Sequence, residues 1–130
     1  MPGGRGQVFP GWEISALPHA ANRVRWDMIV VRLDIVEAYL ARAAVGEGAA
    51  AVRKAYGAWR AIASASQWRT PIDVKRSHPK ASVLKRGRVV FNIKANDYRL
   101  VAQINYRAGT VEIRFFGTHA EYDRIDAETV

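Results

Sequence analysis

The chain contains no cysteine, which excludes disulfide bridges and thiolate metal sites and suits a reducing compartment. No apolar run approaches the roughly 18 residues of a membrane span, so no membrane association through a spanning helix is expected. The opening "MPGGRGQVFPGWEISALPHA" has no apolar core of the kind a signal peptide carries, and the expected location is the cytoplasm. The three histidines, His19, His78 and His119, are too scattered for metal-ligand spacing, so no metal or cofactor is expected. The four tryptophans show no cage pattern, and Trp59 and Trp68 read as core. There is no internal repeat.

Acidic residues are scarce in one place. Residues 48–109 hold thirteen basic and two acidic side chains, whereas 1–47 hold five of each and 110–130 hold two basic and five acidic. The whole net charge of +8 therefore comes from the middle of the chain. Such a field attracts a polyanion, nucleic acid being the usual one. A solvated basic surface is the plainer alternative, and an anionic membrane surface is weaker because no basic amphipathic helix stands out.

With 130 residues and 49% apolar composition the chain suits one domain with one core. Residues 1–27, with four glycines and three prolines, read as a poorly ordered arm, and Met28, followed by "IVVR", as a possible natural start, leaving 28–130 as the folded domain. "MIVVR" is a short strand. "LDIVEAYLARAA" and "AAAVRKAYGAWRAIASA" carry apolar residues at helical spacing, with a break at "GEG", and read as a helical hairpin. Thr70, Pro71 and Asp73 suit the start of a short helix.

The period then changes to two. "RVVFNI", "YRLVAQINY" and "TVEIRFF", joined by "KAND" and "RAG", predict an antiparallel meander. Alternation places Val89, Phe91, Ile93, Leu100, Ala102, Ile104, Val111, Ile113 and Phe115 on a buried face. The opposite, open face would gather Arg88, Arg99 and Arg114, with Val90, Val101 and Phe116 set among them. After Gly117, "THAEYD" is a capping box, with Thr118 as N-cap and Glu121 three residues on. His119 and Tyr122, which capping does not need, share a helix face.

"RVVFNIKANDYRLVAQINYRAGTVEIRFFGTHAEYDRIDAETV", with Trp68, Thr70, Pro71, Asp73 and Lys75 upstream, resembles the HigB-type toxins of type II toxin–antitoxin modules, in the RelE/ParE toxin superfamily. The resemblance runs from about Met28 to Val130, is densest from Arg88 onward, and is looser over "RSHPKASVLKRG". It implies an α+β fold, a helical hairpin packed on one face of a small antiparallel sheet of about four strands. It further implies a ribosome-dependent mRNA endonuclease that halts translation, a HigA-type helix-turn-helix antitoxin as partner, ribosome and mRNA as targets, and operator DNA met only through the antitoxin.

Metal-free RNA cleavage needs a base for the 2′-hydroxyl, an acid for the leaving oxygen and cations for the phosphorane. Arg99, in "YRLV", matches a basic position of RelE-like sites and suits a phosphate. His119 is the candidate acid or base. Tyr122 would stack on a base, assist proton transfer, or simply pack on Phe116. Lys94 would stabilise charge, or act as a base if its pKa were lowered. Arg88 and Arg114 would meet neighbouring phosphates, and Lys75, Arg76, Lys80, Lys85 and Arg86 would dock on ribosomal RNA. Asp123 reads as a helix-surface or ion-pair residue rather than a catalyst, Asn92 as a strand polar, Asn96 as a turn residue and His78 as structural or RNA-facing. Two other functions remain open, a ParE-like gyrase poison and an RNA-binding module without catalysis.

Overall fold

The computed structural model describes residues 26–43 and 47–130. The expected arm, apart from Trp26 and Asp27, lies outside the described residues, as do His19, Trp12 and Gly46 of the expected helix break. The elements are β1 (Ile29–Val31), α1 (Leu33–Arg42), α2 (Glu47–Ala65), α3 (Pro71–Ser77), β2 (Ser82–Val83), β3 (Arg88–Ile93), β4 (Tyr98–Asn105), β5 (Thr110–Thr118) and α4 (His119–Tyr122). Glu47 and Gly48, expected in the break, already belong to α2.

The fold is α+β, but the sheet has five strands and is mixed, in the order β1-β5-β4-β3-β2. The meander β3-β4-β5 is antiparallel as expected. β1 pairs in parallel with β5, Val30 opposite Val111. A parallel pair needs a long crossover, here supplied by α1, α2, α3 and the rest of the sheet, so no local pattern announces it. At the other edge, Ser82 and Val83 pair with Val90 and Val89. A two-residue strand carries too little alternation to read from sequence.

Helices α1, α2 and α3 cover one face. Val36, Tyr39 and Leu40 of α1, Val52, Tyr56, Trp59 and Ala63 of α2, and Val74 of α3 are buried with Val89, Phe91, Leu100, Ala102, Ile104, Val111 and Ile113 of the sheet. Trp68 stacks on Phe91 with centroids 5.9 Å apart, and Trp59 meets the same ring edge-on at 5.3 Å. Rather than forming a self-contained hairpin, α1 packs mainly on β5 while α2 leans on β1 and β3. The start of α3 follows its sequence signal. Thr70 caps it, its side chain accepting from Asp73 N–H while the Asp73 carboxylate accepts from Thr70 N–H.

One face assignment changes. Val101 is opposite Phe115, but Ala102 is opposite Ile113, so Arg114 is an extra residue, a β-bulge. An inserted residue reverses the alternation beyond it. Phe116, expected on the open face, is therefore buried between Tyr39 and Tyr98, at centroid distances of 5.3 and 5.6 Å. Phe115, expected in the core, turns to the other side and packs near Tyr122.

Candidate active site at the β3–β4 turn

The open face is partly closed. After α4 the chain crosses the sheet, and Ile125, Ala127 and Val130 join Val90, Val101, Leu84, Phe115 and Tyr122 in a second apolar cluster. The two valines set into the supposedly solvated face thus have a cover. Arg88 lies beneath it, only 8% exposed. Its guanidinium donates to Gln103 Oε1 at 2.6 Å, Ala127 O at 3.0 Å and Val130 O at 2.6 Å. Arg114 donates to Val130 O at 3.1 Å and pairs with Glu112 at 3.1 Å. A buried cation needs partners, and both Arg88 and the half-buried Arg114 find theirs within the domain. The expectation that Arg88 stands open to phosphate is corrected accordingly.

Three of the catalytic candidates, Lys94, Arg99 and His119, lie at one turn. In the turn between β3 and β4, Lys94 and Ala95 both adopt the left-handed region, with φ of 54° and 56°. For residues bearing a Cβ this costs on the order of 1–2 kcal/mol each. Three interactions hold the turn against that strain. Lys94 Nζ pairs with Asp97 Oδ2 at 2.9 Å. Arg99 donates to Asn96 O at 3.0 Å and Asn96 Oδ1 at 2.8 Å. His119 N–H donates to Asp97 O at 3.0 Å, fixing the start of α4 to the turn. Strain held this firmly is a feature of functional sites.

His119 is positioned from behind by the capping box. Thr118 Oγ1 accepts from Glu121 N–H at 3.1 Å, and Glu121 Oε1 accepts from Thr118 N–H at 2.8 Å. Tyr39, buried on α1, donates its hydroxyl to the same Glu121 oxygen at 2.7 Å. The backbone and Tyr39 hydrogen bonds hold the Glu121 carboxyl below its usual range, while burial and then Glu121 push the Tyr39 phenol up. The His119 ring stays exposed, its Nδ1 3.2 Å from Asp123 Oδ2, leaving Nε2 directed away from that pair. Lys94, Asn96, Asp97, Tyr98, Thr118, His119 and Gly48 border one groove of about 380 Å³.

The structure thus brings Lys94, Arg99 and His119 to a single turn, with Asp123 facing His119, the ion-pair branch of its two readings. Tyr122 packs with Phe115, centroids 6.5 Å apart, and not with the Phe116 expected, because the bulge turns Phe116 into the core. Lys94 does not suit a base, because its hydrogen bond to Asp97 and that carboxylate's charge raise its pKa. Lys75 closes a loop, donating to Pro79 O at 2.7 Å and Ala81 O at 2.8 Å. Arg76 pairs loosely with Asp73 at 3.6 Å, and Lys80, Lys85 and Arg86 are exposed. His78 is half-buried, edge-on to Phe91 at 5.0 Å, and burial lowers its pKa. Two supporting residues had no signal of their own: Asp97 inside a turn tetrapeptide, and Tyr39, 82 residues from the glutamate it holds. Among the described residues no cluster of His, Asp and Glu could hold a metal ion, and no helix is long and apolar enough to cross a membrane.

No curated protein matches the chain. Residues 52–125, more than half of it, match the family model of the HigB toxin, a RelE-like toxic component of a toxin–antitoxin system. The matched span takes in α2 from Val52 onward, α3, the meander and α4, and with them Lys94, Arg99 and His119. A toxin of this kind is paired with an antitoxin, and the chain belongs to the HigB toxin family.

Proposed function

We propose that the protein is an mRNA endonuclease that acts on the translating ribosome and needs no metal, with residues 28–130 as the toxin domain. The observation that carries this reading is the convergence of Lys94, Arg99 and His119 on the strained β3–β4 turn. The substrate's 2′-oxygen attacks the adjacent phosphorus and its proton passes to a base. The 5′-oxygen leaves with a proton from an acid, giving a cyclic phosphate and a free 5′-hydroxyl. His119 is the proton-transferring group, held by Asp123 through Nδ1 with Nε2 toward the substrate. Arg99, tied to Asn96 of the same turn, presents a planar fork, only part of whose donors are used on Asn96 and Tyr98. Lys94 supplies a second cation rather than a base. Exposed Arg76, in the last turn of α3, and exposed Lys80, Lys85 and Arg86, between α3 and β3, suit docking on ribosomal RNA. The antitoxin is of the HigA helix-turn-helix type, and operator DNA is reached through it.

The test is mapping of mRNA 5′ ends in a purified translation system, with and without ribosomes. Wild-type protein should cut only with ribosomes present. Arg99→Ala and His119→Ala should each lower single-turnover cleavage about 10²-fold or more. Retention of activity within a few-fold by both variants refutes the site. Absence of cutting by folded, antitoxin-free wild type moves the weight to gyrase poisoning or to RNA binding alone.

A further inference from the structure

A groove of about 520 Å³ runs between α3 and the outer edge of β2, walled by Pro71, Ile72, Lys75, Ala81, Ser82 and Val83. β2 is an edge strand, and Val83 lies directly opposite Val89, whose side chain is buried against the helices. Residues directly opposite in a ladder point to one face, so Val83 stands on the helix side of the sheet. Ile72, 63% exposed, is the most exposed large apolar side chain among the described residues, and Val83 is exposed as well. The backbone at Val83 is also open. Leu84 N–H donates to Arg88 O at 2.8 Å, so Leu84 turns its backbone groups toward β3. By the alternation of an antiparallel ladder, Val83 turns its N–H and C=O away from β3, and no described residue bonds them. Lys75, bonded to Pro79 O and Ala81 O, fixes the loop that leads into β2.

The charges around the groove select its occupant. Residues 69–88 hold seven basic side chains and one acidic. The acidic one, Asp73, is engaged in the cap of α3. Arg76 shares a helix face with Ile72, one turn back. Lys80, Lys85 and Arg86 flank β2, are exposed, and have no ion pair among the described residues. A second copy of this chain would bring like charges together, and lysines beside a short edge strand oppose such pairing. A strand that carries carboxylates is attracted instead. RNA would use the cations, but it has neither an aliphatic side chain for Ile72 and Val83 nor a strand backbone for the edge. A toxin of this family is paired with an antitoxin, which is a protein. We propose that the groove between α3 and β2 receives an extended acidic segment of the antitoxin. Its backbone pairs with Val83, an aliphatic side chain sits between Ile72 and Val83, and its carboxylates face Arg76, Lys80 and Lys85. The proposal rests on membership of the toxin family and on this groove, not on the cleavage reaction, so each can fail without the other.

The test compares the free toxin with its complex with the antitoxin, the two co-expressed and purified together. Amide exchange at Val83 should slow about tenfold or more in the complex, as an open edge N–H gains a partner. Two variants then probe the contacts. Ile72→Ser shortens a side chain that the fold leaves exposed, and Val83→Pro removes the outward N–H at a position where an edge strand tolerates proline. Each should weaken the complex about tenfold or more, the scale of one buried aliphatic anchor or one unmade hydrogen bond. Thermal melts establish that each variant folds, and Ile72→Ser carries the test if Val83→Pro does not. Overlapping peptides of the antitoxin sequence locate the segment. The peptide that binds wild type and not Ile72→Ser should carry an excess of Asp and Glu, and its affinity should fall as salt rises. Protection confined to the His119 groove or to the β1 edge overturns the proposal, as do variants that bind within about twofold of wild type. A binding peptide without net negative charge also overturns it. So does a short oligoribonucleotide that protects Val83 and binds Ile72→Ser about tenfold more weakly, which makes the groove an RNA surface.

Discussion

The Tyr39→Phe substitution tests the way the core positions His119. Tyr39 is buried at 6% exposure and reaches across from α1 to donate 2.7 Å to Glu121, whose other bonds close the cap of α4. The substitution keeps the ring contacts with Phe116 and Tyr98 and removes one hydroxyl. A hydrogen bond to a charged acceptor contributes about 1.5–3 kcal/mol. Glu121 keeps Thr118, so we expect a loss of about 2 kcal/mol, or roughly 6–10 °C in Tm for a domain of this size. Urea titration and thermal melts followed by circular dichroism measure it. The pH dependence gives an independent check. The Glu121 carboxyl is held low in the folded state, so its contribution is complete above about pH 4.3 and is lost as pH falls through the depressed value. The Tyr39 phenol is raised, so its neutral form favours folding below about pH 10 and this is lost as pH rises further. Tyr39→Phe should therefore shallow both the acid and the alkaline limbs. A Tm within 1–2 °C of wild type (about 0.5 kcal/mol), with both limbs unchanged, would refute the claim that this bond holds the cap.

The bulge at Arg114 makes neighbouring phenylalanines unequal. Phe116→Ala should cost about 3–5 kcal/mol in urea unfolding and Phe115→Ala about 1–2, an order reversed if alternation ran on unbroken. Arg88→Ala strands the carbonyls of Ala127 and Val130, and amide exchange over residues 125–130 should accelerate at least tenfold while the β4 core stays protected; equal protection would show that the arginine does not hold that segment. If Lys94 acts as a cation, Lys94→Arg should keep cleavage within about tenfold and Lys94→Met should lose about 10²-fold, whereas a base would lose activity equally in both.

Local signals were sound wherever the structure is local. The Thr70 and Thr118 capping boxes, the period-two meander and the apolar stripes of the helices all stand where spacing put them. They failed where one residue or one distant partner decides. The extra residue at Arg114 is invisible in "TVEIRFF", because both phenylalanines are apolar and either can complete the alternation. β2 is two residues long, and β1 finds β5 only after nearly the whole domain has been laid down.

The candidate site divides in the same way. Sequence alone determined the fold class and the basic middle of the chain, and named Arg99, His119 and Lys94 as candidates, through residue type, short spacing and the family resemblance. Tertiary structure decided which cations remain available. Arg88 and Arg114 bond to the C-terminal segment folded over them, whereas Arg99 bonds to Asn96 of the turn, and the turn brings Asp97 to the Lys94 ammonium and favours its charged form. Packing across the sheet and closure of a strained turn depend on long-range contacts, and no window of residues encodes those contacts by itself.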